Sequence, residues 1–150
     1  MPERPYTVRV NLSGLVERVA SEPTVAEAIE DARSGAVDAL DIASPEAMRP
    51  LLVAALASAG RPILLVTSTY REAETLTSSL ASILTPDAVA YYPAWETLPH
   101  ERLSPRSDTV GRRLAVLRRL AGNDPLPAPR VVVAPIRAVL QPQVTGLGGI

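Results

Sequence analysis

Phosphate binding by an α/β protein needs glycines that let the backbone wrap the phosphate, free helix N-terminal amides, and a lysine for the β- and γ-phosphates. The turn where this sequence would carry such a site reads Asp41-Ile42-Ala43-Ser44-Pro45-Glu46-Ala47-Met48. It holds no glycine, and Glu46 adds repulsion. The chain has no lysine at all, since its 15 basic residues are all arginine. Ala43, Ser44, Pro45, Glu46, Ala47 and Met48 therefore read as a degenerate phosphate-loop position. ATP hydrolysis here would lack the cation that supplies much of the electrostatic stabilisation in phosphoryl transfer. A dinucleotide site fails as well: no G-x-G-x-x-G occurs, and the glycines at 146, 148 and 149 follow no strand and open no helix.

Other chemistry finds few partners. His100 is the single imidazole, flanked by Pro99 and Glu101, with no Ser-His-acid spacing or multi-histidine pattern around it. It reads as a surface-loop histidine. The chain has no cysteine, so thiolate metal sites, disulfides and a cysteine nucleophile are excluded. The neighbouring carboxylates Glu30 with Asp31, and Glu72 with Glu74, fall on expected helix surfaces and read as solvated. No catalytic, cofactor or metal residue is expected in this segment.

Two features stand out. The stretch Trp95-Glu96-Thr97-Leu98-Pro99-His100-Glu101-Arg102 follows Tyr91-Tyr92-Pro93-Ala94 and holds the only tryptophan of an aromatic-poor chain. It reads either as a lid over strand ends or as a contact surface anchored by aromatic rings. The second is a run of arginines, Arg106, Arg112, Arg113, Arg118 and Arg119, on or beside one helix. These read as a solvated face or as phosphate contacts, with Arg112 and Arg113 the candidates for touching DNA or another domain.

The elements that must position these residues alternate in type. Short amphipathic helices are expected over 12–20 and, behind Thr24 as N-cap, over 25–33, with Gly35 as a stop. A strand over 36–42 leads through Ser44, as N-cap, into a helix to 59 that Pro50 should kink or delay. The unbroken apolar run over 62–67 is the pattern of a strand covered on both faces of a parallel sheet. Thr69 caps a helix to 84, and a strand follows over 89–92. Asp108 caps a helix to 121 whose inner face carries Val110, Leu114, Leu117 and Ala121. A proline-rich connector over 123–129 leads to a strand over 130–134, and Pro135 opens a short helix to 141. Strand and helix alternating four times argue for an α/β fold, a parallel sheet with helices on both faces. The glycine-rich residues after Pro142 offer no further strand, so the sheet is expected to be incomplete at its C-terminal side.

Composition agrees with one domain. Of 150 residues, 47% are hydrophobic but only 3% aromatic, so aliphatic side chains must build the core. No secretion signal or membrane-length apolar run occurs, which makes a cytoplasmic protein without membrane contact the expectation. The net charge of −1 conceals a division. Residues 1–100 carry seven arginines against 13 acids, and residues 101–150 carry eight against three.

At the aromatic loop the sequence becomes recognisable. The run from Pro93 through Trp95, Glu96, Thr97, Leu98, Pro99, His100, Glu101 and Arg102 to Pro105, followed by Asp108-Thr109-Val110-Gly111-Arg112-Arg113-Leu114, closely resembles the N-terminal region of the transcription-repair coupling factors. The resemblance extends back through 61–67 and forward through 131–135 to Leu140-Gln141-Pro142. It implies a RecA-like (P-loop NTPase-type) domain similar to the first domain of the excision-repair helicase UvrB, with its nucleotide site lost. It further implies a helical lead-in over 1–35, the UvrB-like domain over 36–142, and the start of a linker or insert over 143–150. In that family ATP and magnesium serve a DNA translocase further along the chain, RNA polymerase and DNA are engaged by downstream modules, and UvrA binds mainly an adjacent insert. The segment itself would then be a non-catalytic scaffold and regulatory module. The alternative is a small standalone α/β domain that binds nucleic acid or nucleotide.

Overall fold

The computed structural model describes residues 12–96 and 106–143, together with Gly146 and Gly149. In chain order the elements are α1 (Ser13–Ala20), α2 (Pro23–Ser34), α3 (Arg49–Leu56), β1 (Ile63–Thr67), α4 (Tyr70–Ile83), β2 (Val89–Tyr91), α5 (Ser107–Leu120), β3 (Val131–Pro135) and α6 (Ile136–Leu140). Short 3-10 turns occupy Glu46–Met48, Ala57–Ala59 and Pro86–Ala88.

The three strands form one parallel sheet in the order β1-β3-β2. Val131 of β3 is level with Ile63 on one side and Val89 on the other. The strand Val-Val-Val-Ala-Pro takes the centre because it has no polar side chain to keep wet, and all five of its residues are buried. Val131 and Val133 face α3 and α4, packing with Ala54, Ala73, Leu76 and Leu80. Val132 and Ala134 face the opposite way, toward Val116 of α5 and Ala138 of α6. A third cluster, built on Ile29, Ala55 and Ala59, fixes α1 and α2 to the outer side of α3. The expected α/β class, a parallel sheet with helices around it, is what forms, and it is consistent with a RecA-like fold.

The strand expected over 36–42 does not form. These residues have no regular structure, and all seven are exposed. The reason lies in their pattern: Asp38 would share a face with Leu40 and Ile42, and Asp41 a face with Val37 and Ala39, so neither face is apolar. The sheet has three strands among the described residues instead of four, and β1 is its first.

Helix starts also shift. Glu22, not Thr24, caps α2: its carboxylate accepts from the Val25 amide at 3.0 Å, with Pro23 in the first turn. The helix expected from Ser44 begins only at Arg49, because Pro50 lacks an amide proton and fits best in the first turn. Gly60 closes the following 3-10 turn at φ 82°, a left-handed conformation a side chain would strain. Helix α5 starts at Ser107 with Arg106 at the N-cap position, so Asp108 lies inside the first turn. Its buried row is Thr109, Arg113 and Val116, one residue earlier than the aliphatic row Val110, Leu114 and Leu117, which is only half-buried. Arg113 takes the innermost place because its aromatic neighbours accept it.

Candidate functional site

In open parallel sheets the ligand crevice lies outside the carboxyl ends of the strands. Here that edge opens into a cleft of about 650 Å³ lined by the turns after β1, β2 and β3 and by the start of α5. Three arginines (Arg106, Arg112, Arg137) face three carboxylates (Glu74, Glu96, Asp108) across it. The cleft is therefore close to neutral and does not focus an anion as a phosphate site does.

Because β1 is the first strand, the first strand-to-helix turn is Ser68-Thr69-Tyr70, not Asp41 to Met48. The Thr69 hydroxyl accepts from the Glu72 amide at 3.2 Å, which caps α4 as the sequence suggested. Glu72 reaches back, its carboxylate accepting from the Ser68 amide at 3.3 Å and the Ser68 hydroxyl at 3.0 Å. The same side chain pairs with Arg49 of α3 at 3.0 Å. Glu72 thus ties the residue before the α4 N-cap to α3, on the Arg49 side of the turn and outside the lining of the cleft. Glu72 is an engaged capping group, not the free surface acid its sequence suggested.

The second N-terminus at this edge, that of α5, also has a carboxylate beside it. Glu96 accepts from the Thr109 hydroxyl, with the Arg106 backbone and guanidinium nearby. These contacts with its charged form, the Thr109 hydroxyl first, hold its carboxyl below the ordinary glutamate range. Each of these two helix starts thus has an internal carboxylate hydrogen-bonded beside it, Glu72 at Ser68 and Glu96 at Thr109.

Behind Glu96 the chain is fixed by two side chains. The Arg113 guanidinium lies over the Tyr92 ring at 4.2 Å and the Trp95 ring at 4.3 Å, and donates to the Pro93 carbonyl at 2.5 Å. Its residue is 1% exposed. Nε and Nη2 have no hydrogen-bond partner among the described residues and meet ring faces instead. Burial lowers the pKa of Arg113 and raises that of Tyr92, for which the nearby guanidinium acts in the opposite direction. Gln141, just after α6, grips Trp95 at both backbone groups. Its Oε1 accepts from the Trp95 amide at 2.7 Å and its Nε2 donates to the Trp95 carbonyl at 3.2 Å.

Of the residues singled out in the sequence, Trp95 and Glu96 come together with Arg113 at this edge. Thr97, Leu98, Pro99, His100, Glu101 and Arg102 lie outside the described residues. Ala43, Ser44, Pro45 and Met48 instead line a separate groove against the α1–α2 turn, with no strand leading into them, and Glu46 and Ala47 fall in the 3-10 turn beside it. Arg113 requires a correction: a buried guanidinium between two rings cannot touch DNA. Arg112 remains exposed, paired with Asp108 at 3.1 Å. The neighbouring cations of α5 mostly bind backbone carbonyls. Arg118 donates to Asn123, and Arg119, 9% exposed, donates to Pro127 at 2.9 and 3.0 Å and to Asp87. Arg130 does the same at Ala57 and Arg61 at Ala32. Of the described arginines of the last third, Arg113 and Arg119 are thus buried, whereas Arg118 and Arg130 reach backbone carbonyls from exposed positions. The sequence reading missed Thr109, Gln141 and the Glu72 cap. Only the T-x-x-E pattern of Thr69 and Glu72 could have signalled one of them.

No protein-family model matches the chain. Two curated proteins do, each named transcription-repair-coupling factor, from Mycobacterium bovis and Mycobacterium tuberculosis. Each is 47% identical to this chain over 140 residues. The match covers 91% of this chain but only 11% of either relative. No described helix is long and apolar enough to cross a membrane. With close to half of its residues identical over nearly its whole length, the chain belongs to the transcription-repair-coupling factor family, as the counterpart of a segment that makes up about a tenth of a full relative.

Proposed function

We propose that this segment is a non-catalytic scaffold within a longer transcription-coupled repair protein. ATP hydrolysis and DNA translocation, and the contacts with RNA polymerase and DNA, belong to other parts of that protein, and the main UvrA-binding element lies beside this segment. The observation that carries the reading is a cleft at the sheet's carboxyl edge whose arginines are matched by carboxylates, Glu96 among them and bonded to Thr109 at the start of α5, in a chain without lysine. A nucleotide phosphate there would meet as many carboxylates as arginines, three of each, and no lysine of the P-loop kind.

Photolabelling the complete gene product with 8-azido-ATP and mapping the labelled peptides tests this. Label confined to peptides outside residues 12–143 is expected. A labelled peptide containing Ser68 to Glu72, or Ala43 to Met48, would overturn the reading. Retention of purified UvrA by the complete product, and its loss when the region after residue 143 is deleted while this segment stays folded, tests the scaffold role.

A further inference from the structure

The face of the sheet opposite α3 and α4 is only partly covered. Helices α5 and α6 lie over β2 and β3, but the residues of β1 that point to this side, Leu64 and Val66, are 55% and 42% exposed. Between Leu64 and the two helices runs an apolar groove of about 380 Å³, walled by Leu64, Leu117, Leu120, Val132 and Val139. Leu120 and Val139 are themselves about half exposed. Of the aliphatic row of α5 that the sequence assigned to the core, Leu117 lines this groove, next to Val116 and Leu120.

We infer that a helix supplied by the same polypeptide, C-terminal to Gln143, docks in this groove and completes the second cover of the sheet. Three observations select that occupant. A parallel sheet is buried on both faces, and the covering helices come from its own chain, because parallel strands are joined through crossover connections. The relatives are far longer than the matched region, which is 11% of each, so chain outside this segment is there to supply a helix. The backbone leaves α6 at this place, with Gln143 on the groove wall, so the chain that follows starts beside the site it would fill. The groove walls are aliphatic over most of their area, with no charged residue among them, which suits the apolar stripe of a helix and gives nucleic acid nothing to bind.

The test places the photo-crosslinker p-benzoylphenylalanine at Val139 in the complete gene product, with Arg71 on the far side as the control position. A mixture of isotopically heavy and light copies is irradiated. The expected result is an adduct at monomer mass, heavy-to-heavy or light-to-light only, whose peptide lies C-terminal to Gln143 and which the control lacks. A mixed heavy–light adduct would mean a second copy fills the groove, and an adduct to residues 1–11 would mean the N-terminal end does. Either overturns the inference, as does the absence of any adduct above the control. Leu120→Asp adds a second readout: backbone amides of β1 should exchange faster in the complete variant than in the unaltered protein, and unchanged exchange would count against docking. None of these results bears on nucleotide labelling, so this inference and the scaffold reading stand or fall separately.

Discussion

Arg113 and Trp95 are stacked: the guanidinium carbon lies 4.3 Å from the indole centre, and the Tyr92 ring closes the other side at 4.2 Å. A planar cation between two rings satisfies burial in a way an ammonium cannot, because its faces are weakly hydrated while its edge still donates to the Pro93 carbonyl. Arg113→Met keeps much of the volume but loses both ring contacts and the hydrogen bond. It should cost roughly 2–4 kcal/mol of stability. Arg113→Lys should lose about half of that. Thermal unfolding followed by tryptophan fluorescence measures both, and a methionine variant as stable as the original would refute the role of the stack.

Gln141 holds Trp95 from the other end of the chain, so the segment after α6 and the loop after β2 form one unit. Gln141→Ala removes an acceptor and a donor at once and leaves two backbone groups to find water. A loss of about 1–3 kcal/mol follows, with a red-shifted Trp95 emission as the indole becomes wetter. Gln141→Glu keeps the acceptor for the Trp95 amide but sets a carboxylate against the Trp95 carbonyl, so it should be no better than alanine. An unshifted emission in both variants would show that the bidentate grip does not position the ring.

How much of this was legible beforehand follows from what each pattern encodes. The unbroken apolar runs around Leu65 and Val132 announced parallel strands because no polar side chain interrupts them, but only the second is buried on both faces, Leu64 and Val66 being 55% and 42% exposed, and Thr69 announced a helix start. The segment from Ala36 to Ile42 misled because its apolar content resembles a strand while its two aspartates deny it a dry face. Burial of Arg113 could not be read from α5 alone. Helical periodicity assigns aliphatic residues to the core, and only the approach of Tyr92 and Trp95 in space makes an arginine the better occupant. Trp95 and Glu96 were singled out by composition, but their partners Thr109 and Gln141 are polar residues of ordinary type, 14 and 46 positions beyond Trp95.

Glu96 gives the acid side of the stability curve a specific contributor. Its carboxyl is held below the ordinary range, chiefly by the Thr109 hydroxyl, so the folded state favours the charged form. The stabilisation is complete above the usual glutamate pKa and disappears as pH falls through the depressed folded value. Glu96→Gln keeps an acceptor but not the charge. The variant should melt below the original near pH 7, and the gap should shrink as acidification carries the pH down through the lowered folded value. A gap that widens with acid would assign the group the opposite sign.

The arginines of α5 divide by burial, and substitution should divide them in the same way. Arg112 is a solvated partner of Asp108, with 57% of its side chain exposed, and such pairs contribute only about 0–1 kcal/mol. Arg119 is 9% exposed and ties the helix to the connector at Pro127 and to the turn before β2 at Asp87. Arg119→Leu leaves both carbonyls without this donor and should cost roughly 2–4 kcal/mol, whereas Arg112→Ala should change the melting temperature little. The same pair separates a structural from a nucleic-acid role for the basic helix. If phosphate contact were its purpose, Arg112→Ala would weaken DNA retention by this segment and lower its dependence on salt, while leaving stability intact. The carbonyl contacts of Arg118 and Arg119 predict the reverse: at 150 mM salt, a concentration where screening length is about 8 Å, DNA retention is weak in the unaltered protein and stays so in the variant.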